Sequence, residues 1–134
     1  MLNELIKKNY LDENCNCAES MLKALDEACG LAIPAESFKL ISGVGGGMCA
    51  GYTCGALAGA QAALGKMFSN GKAHETEGFM DMCGAFVNRF AEEMGSINCS
   101  ELKPQYFKED GTRCIECVYK TAAIFEDFVK EYKK

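Results

Sequence analysis

The residues of this chain best suited to chemistry are its cysteines, nine among 134 residues. Four share a placement. Cys17 directly follows Asn16, Cys54 follows Thr53, Cys99 follows Asn98, and Cys114 lies two past Thr112. Asn and Thr are good helix N-caps, so the spacing puts each cysteine in the first turn of a predicted helix. Free N–H groups and the helix dipole favour an anion there. The dipole contributes about 0.3–1 kcal/mol at an exposed site and up to ~2 kcal/mol at a partly buried one. Since one pKa unit is about 1.4 kcal/mol, each thiol is expected to drop by about one unit from this source alone. The thiolate is the form that binds metal or attacks a disulfide.

The other cysteines divide. Cys29 and Cys83 fall on apolar helical faces and read as core, because a free Cys packs as a small hydrophobe. Cys15, Cys49 and Cys117 stay open. Cys49 sits in a glycine loop five residues before Cys54, and Cys117 lies one turn after Cys114, so those two can face the same side. Local motifs exclude several chemistries. Cys114-x2-Cys117 has no second C-x2-C, so a zinc ribbon is not indicated. A thioredoxin-like C-x-x-C needs a βαβ context, which is absent. No His follows Cys117, which excludes c-type haem attachment. Cys49-x4-Cys54 begins like a plant-type ferredoxin spacing but lacks the next cysteine. The single histidine, His74, lies in a polar stretch and reads as solvated, and with no other His, Cys–His hydrolytic chemistry is disfavoured.

Residues 42–53, SGVGGGMCAGYT, are too glycine-rich for a regular element. They match neither G-x-G-x-x-G nor a P-loop. Gly45-Gly46-Gly47 suits a nest of backbone N–H groups around an anionic centre, with Gly46 and Gly47 as its candidate donors. A plain flexible connection is the alternative reading.

The elements that must hold these residues are helices. Residues 2–10 form a short amphipathic piece with Leu2, Leu5, Ile6 and Tyr10 on one side. Residues 16–29 read as a helix opened by an Asn16–Glu19 capping box and stopped by Gly30. Pro34 suits a helix start. Thr53 is expected to cap a helix running to Phe68, with Gly55, Gly59 and Ala63 on one face for close backbone approach. Residues 75–94 place Phe79, Cys83, Phe86, Val87 and Phe90 on one stripe. Asn98 and Glu101 repeat the capping-box pattern before a short turn that Pro104 ends. The last helix is expected from about Thr112 to Tyr132, with Cys117, Thr121, Ile124, Phe128 and Tyr132 on one side. No stretch alternates with the period of a half-buried strand. The expected fold is therefore all-α: one cysteine-rich domain over residues 1–134, a compact bundle of about five to six helices with a glycine-rich loop.

Bulk properties agree. A chain of this length buries roughly two thirds of its unfolded surface, and apolar residues make up 49% of it, so disulfides are not needed for folding. The formal net charge of −5 repels phosphate backbones and argues against nucleic-acid binding. The Lys133–Lys134 end is too short to act as a basic tail. No signal-like apolar region opens the chain, and no run approaches the ~20 apolar residues of a membrane helix. The expected compartment is the reducing cytoplasm, where cysteines serve as ligands, nucleophiles or core residues.

Segment by segment, the chain resembles the C-GCAxxG-C-C family of redox-active proteins. The central match is Cys54-Gly55-Ala56-Leu57-Ala58-Gly59, within residues 45–65. Asn16-Cys17-Ala18-Glu19 resembles the family's NCA segment, Gly95 to Leu102 its GSINC-x-EL segment, and Cys114 with Val118, Ala122 and Ile124 its final cysteine helix. The family's four cysteines correspond to Cys17, Cys54, Cys99 and Cys114, the same four that helix placement selects. Cys49 and Cys117 depart from the pattern and stand as second-rank ligands. The resemblance implies redox activity and an iron–sulfur cluster, with an oxidoreductase or other redox protein as partner.

Taken together, the expectation is a cluster-binding electron carrier or accessory redox protein rather than a stand-alone enzyme. The cluster would be [4Fe–4S] or [2Fe–2S], held by those four cysteines with Gly46 and Gly47 nearby. A metal-free thiol–disulfide protein and a zinc-binding structural module remain the alternatives. A homodimer through the C-terminal apolar stripe competes with burial of that stripe within one chain.

Overall fold

The computed structural model describes residues 1–132 and is all-α; the Lys133–Lys134 end lies outside the described residues. Six α-helices run in order: α1 (Leu2–Lys7), α2 (Cys17–Cys29), α3 (Gly55–Phe68), α4 (Phe79–Met94), α5 (Cys99–Tyr106) and α6 (Ile115–Tyr132). Short 3-10 segments at Ala35–Val44 and Ala73–Glu75, and π-type turns at Lys8–Asp12 and Gly47–Gly51, take the helical count slightly above five to six.

Helix α2 begins as its sequence dictates. Asn16 Oδ1 accepts from the Glu19 N–H, and Glu19 Oε1 accepts from the Asn16 N–H, each at 2.8 Å. Gly30 ends the helix in the left-handed region at φ 61°. Helices α1 and α5 also start where expected, at Leu2 and, behind the Asn98 cap, at Cys99, whereas other starts and caps differ. Thr53 does not cap α3. It forms an isolated antiparallel bridge with Asn98, which holds it extended, so Cys54 becomes the N-cap. Helix α4 starts at Phe79 rather than 75, because Gly78 turns left-handed at φ 74°. Asn98 does not complete a capping box. Its N–H donates to Ser96 Oγ, and its side-chain amide donates to Glu101 Oε1. Pro104 lies inside α5 instead of ending it; a proline removes its own N–H bond and crowds the carbonyl four residues back, and the helix runs on only to Tyr106. Helix α6 starts at Ile115 rather than Thr112, because Arg113 is left-handed at φ 51° and bridges Lys108.

One core joins all six helices. Phe86 and Phe90 of α4 and Phe125 of α6 are fully buried, and the Phe86 ring meets Phe125 edge-on at 5.8 Å between centroids. At the other end α2 and α3 meet through small residues. A Cβ on Gly59 would stand 2.6 Å from the Ala18 carbonyl oxygen, so this glycine sets the helix separation. Helix α6 packs on α1, α3 and α4, which buries Cys117, Thr121, Ile124 and Phe128 inside the chain. Of the two readings of that stripe, a homodimer or burial within one chain, the structure shows the burial; only Tyr132, at its end, stays largely exposed. Among the described residues no helix is long and apolar enough to cross a membrane. Neither core assignment among the cysteines holds in full: Cys83 is half-buried, and Cys29, at the last turn of α2, is exposed where the helix end runs past the core.

Candidate functional site

Four helix N-termini converge on one cavity of about 400 Å³. Cys17 and Cys99 are the first residues of α2 and α5, Cys54 is the N-cap of α3, and Cys114 stands directly before α6. All four line the cavity, and so do Cys117, Cys49 and Gly46. Cys15, Cys29 and Cys83 do not.

Backbone pairing brings the sulfurs together. The Cys54 N–H donates to the Ile97 carbonyl at 2.7 Å, and the Cys99 N–H donates to the Tyr52 carbonyl at 2.6 Å. With the Thr53–Asn98 bridge between them, these bonds set the starts of α3 and α5 side by side. Cys17 is placed by what its neighbours lack. A Cβ on Gly55 would fall 2.4 Å from Cys17 Sγ and 2.9 Å from the Gly45 Cα. The Gly46 N–H donates to Cys17 Sγ at 3.4 Å. Gly47 supplies room rather than a hydrogen bond to sulfur. Its φ is +69°, and a Cβ there would strike the Tyr52 backbone and Cys99 Cβ. The glycine loop is thus not a loose connection. The Asn16 amide, already the cap of α2, also donates to the Ser42 carbonyl at 3.0 Å and occupies the space a Gly45 side chain would need.

On the opposite wall, Tyr10 Oη accepts from the Cys114 N–H at 3.2 Å. The Arg113 guanidinium lies over the Tyr10 ring at 4.1 Å and donates to the Tyr10 carbonyl. Lys103 and Arg113 both line the cavity. Cys117, in the first turn of α6, faces Cys54, with their sulfurs 3.9 Å apart and both side chains buried. Cys49 is exposed at the rim, held left-handed at φ 60°, and its thiol donates to the Gly43 carbonyl at 3.6 Å.

Only one of the four thiols has the thiolate character expected from helix placement. Cys54 is lowered to about 7, first by the hydrogen bond from Cys117, against its burial, and then by the Leu57 and Ala56 N–H groups of the α3 start. Cys117, the partner that keeps the shared proton, is pushed well up. Cys114 is raised to about 11 by burial and then by the neighbouring sulfurs of Cys99 and Cys17. Burial likewise raises Cys17, against the Gly46 N–H, and Cys99. A helix dipole offers ~1–2 kcal/mol at best, and burial among other sulfurs outweighs it. Tyr10 is pushed up to about 12, chiefly by burial, and so keeps its proton.

Sequence reasoning missed Tyr10 and Arg113, and it ranked Cys117 second although its sulfur touches Cys54. The Cys114-x2-Cys117 spacing was the available signal for Cys117. Nothing local marked Tyr10 or Arg113, whose contacts span about a hundred residues of chain. Among the described residues no three His, Cys, Asp or Glu side chains are drawn together tightly enough to hold a metal ion as they stand. The thiols ring a cavity, an arrangement suited to soft-metal ligation or to disulfide exchange.

A family profile described as "Putative redox-active protein (C_GCAxxG_C_C)" matches residues 15–128, a span that holds all four converging cysteines. The chain belongs to the C_GCAxxG_C_C family. An uncharacterized protein of Archaeoglobus fulgidus is 30% identical over 136 aligned residues, covering 92% of this chain and 90% of that one. No solved structure matches. The matched span includes Cys54-Gly55-Ala56-Leu57-Ala58-Gly59, where the name prints GCAxxG and this chain reads CGALAG, and the absent Gly55 side chain makes room for Cys17.

Proposed function

We propose that this chain is a redox protein that holds an iron–sulfur cluster through Cys17, Cys54, Cys99 and Cys114 and exchanges electrons with an oxidoreductase partner. The observation that supports it most is the convergence of four thiols, from four separate helix N-termini, on one cavity of about 400 Å³. The donor set fits. Four soft sulfurs are what [2Fe–2S] and [4Fe–4S] clusters require. Thiols spread around a cavity suit a polynuclear group better than a single zinc ion, which needs its sulfurs at about 2.3 Å from one point. When bound, the cluster supplies a one-electron carrier.

The chain's own residues would do the rest. Burial holds Cys17, Cys99 and Cys114 protonated in the metal-free protein, so loading must release protons. The helix N-termini, the Gly46 N–H and the Lys103 ammonium, whose charge favours ionised Cys99 and Cys114, would offset the negative charge of the ligated centre. Tyr10 would hold the start of α6, and hence Cys114, in position. The reducing cytoplasm is the compartment that fits such a centre.

Anaerobically purified protein is expected to be brown and to contain iron and acid-labile sulfide. Protein that stays colourless and lacks both, even after reconstitution with iron and sulfide, would overturn the reading.

A further inference from the structure

We infer that Cys54 and Cys117 are a redox modification site, a dithiol that closes to a disulfide and, in closing, withdraws Cys54 from the ligand set. The inference rests on the cluster reading only for that last consequence. Cys117 lies outside the four-cysteine pattern, so the metal-binding assignment leaves it without a role.

The geometry sets this pair apart from the other sulfurs. Cys54 Sγ and Cys117 Sγ are 3.9 Å apart, in hydrogen-bond contact, and both side chains are at least nine-tenths buried. A disulfide needs the sulfurs at about 2.05 Å, so closure asks for an approach of under two ångströms rather than a rearrangement of helices. Each sulfur sits at a helix start, Cys54 capping α3 and Cys117 in the first turn of α6, where a turn can yield more readily than a helix middle. Three of the other cysteines have non-sulfur hydrogen-bond partners: Cys17 takes the Gly46 N–H, Cys49 donates to the Gly43 carbonyl, and Cys15 takes the Lys23 ammonium at 3.4 Å. Both members of the pair line the cavity, which gives a small oxidant a route to them.

The oxidant is a small organic disulfide. One sulfur of the pair attacks it, the S–S bond of the reagent breaks, and one reagent thiol leaves with the displaced proton. The second protein sulfur then attacks the mixed disulfide. The Cys54–Cys117 bond forms, and the second reagent thiol leaves with the second proton. Two protein thiols are oxidised and one reagent disulfide is reduced to two thiols.

The test uses the full-length, metal-free, reduced chain treated anaerobically with hydroxyethyl disulfide. Peptide mapping is expected to find Cys54 joined to Cys117 before any other pair, with the helical circular dichroism retained. Cys117→Ser should lose the crosslink and accumulate a mercaptoethanol adduct on Cys54. Cys117→Ala serves as a second variant should the serine disturb folding. The crosslinked wild type is then offered iron and sulfide: uptake is expected to fall to background and to return after reduction with dithiothreitol. A first crosslink elsewhere, such as Cys49–Cys54, or no crosslink at all, overturns the inference. So does equal iron uptake by the oxidised and reduced protein. Reduced protein that never takes up iron and sulfide overturns the cluster reading instead, and the mapped disulfide stands apart from that result.

Discussion

The two ends of this bundle are built by opposite means. At the aromatic end, Phe86, Phe90, Phe125 and Phe128 fill the space between α4 and α6 with bulk. At the sulfur end, Gly45, Gly47, Gly55 and Gly59 leave space out, and other atoms occupy it: the Asn16 amide, Cys99 Cβ, Cys17 Sγ and the Ala18 carbonyl. The first end is stable because side chains are present. The second is arranged because side chains are missing. Volume supplies folding energy, whereas absent volume supplies position, and four sulfurs from distant helices can share one cavity only where backbones approach this closely.

The comparison is sharpest if damage at one end leaves the other intact. Phe86→Ala should cause the largest loss, about 3–5 kcal/mol of unfolding free energy for a deleted core ring, read by urea denaturation. The folded fraction should still bind iron; loss of binding in molecules that remain folded would show that the two ends are not separable. Gly55→Ala should be milder for stability, about 1–3 kcal/mol by overpacking, but should abolish iron uptake, because its Cβ would sit 2.4 Å from Cys17 Sγ. Normal uptake in that variant would break the claim that absent side chains arrange the site. Asn16→Ala removes both the α2 cap and the tie to Ser42 and should cost about 1 kcal/mol, with partial loss of uptake as the glycine loop loosens. Gly65→Ala is the control. It lies on the same helix as Gly55 with nothing within 4 Å, so it should raise stability by about 0.5–1 kcal/mol and leave uptake unchanged.

The pH dependence of stability is expected to have two limbs of opposite slope, because the thiol shifts differ in sign. Cys54 is depressed from 9.0 to about 7, so between those values the unfolded metal-free chain binds more protons and stability rises with pH. Cys114 is raised from 9.0 to about 11, so above 9 the folded chain binds more protons and stability falls. Urea midpoints of the reduced protein at pH 7, 9 and 11 should be highest at the middle value, and replacing Cys54 with Ser should remove the rise below it. A monotonic fall in the wild type would contradict the assigned ionisation of Cys54.

Much of the fold follows from local pattern. The α2 capping box, the Gly30 stop, the aromatic stripe of α4 and the apolar stripe of α6 all stand where spacing places them. Some helix starts were less legible: Thr53 is held extended by its bridge to distant Asn98, and Arg113 turns left-handed and bridges nearby Lys108, so neither Thr53 nor Thr112 caps the helix expected of it. The four cysteines were legible as a set, since each lies next to a cap or a turn. The Cys54–Cys117 contact was not, since it joins residues 63 apart in the chain.

Sequence alone thus determined the helices, the family and the placement of four cysteines at helix beginnings, because capping, periodicity and close-packing glycines act over a few residues. Only the tertiary structure decided which sulfurs touch and which keep their protons. A helix dipole is local and can be read from spacing. Burial and the charge of neighbouring sulfurs are larger and belong to the assembled cavity, so of four cysteines placed alike along the chain, only Cys54 is driven toward the thiolate.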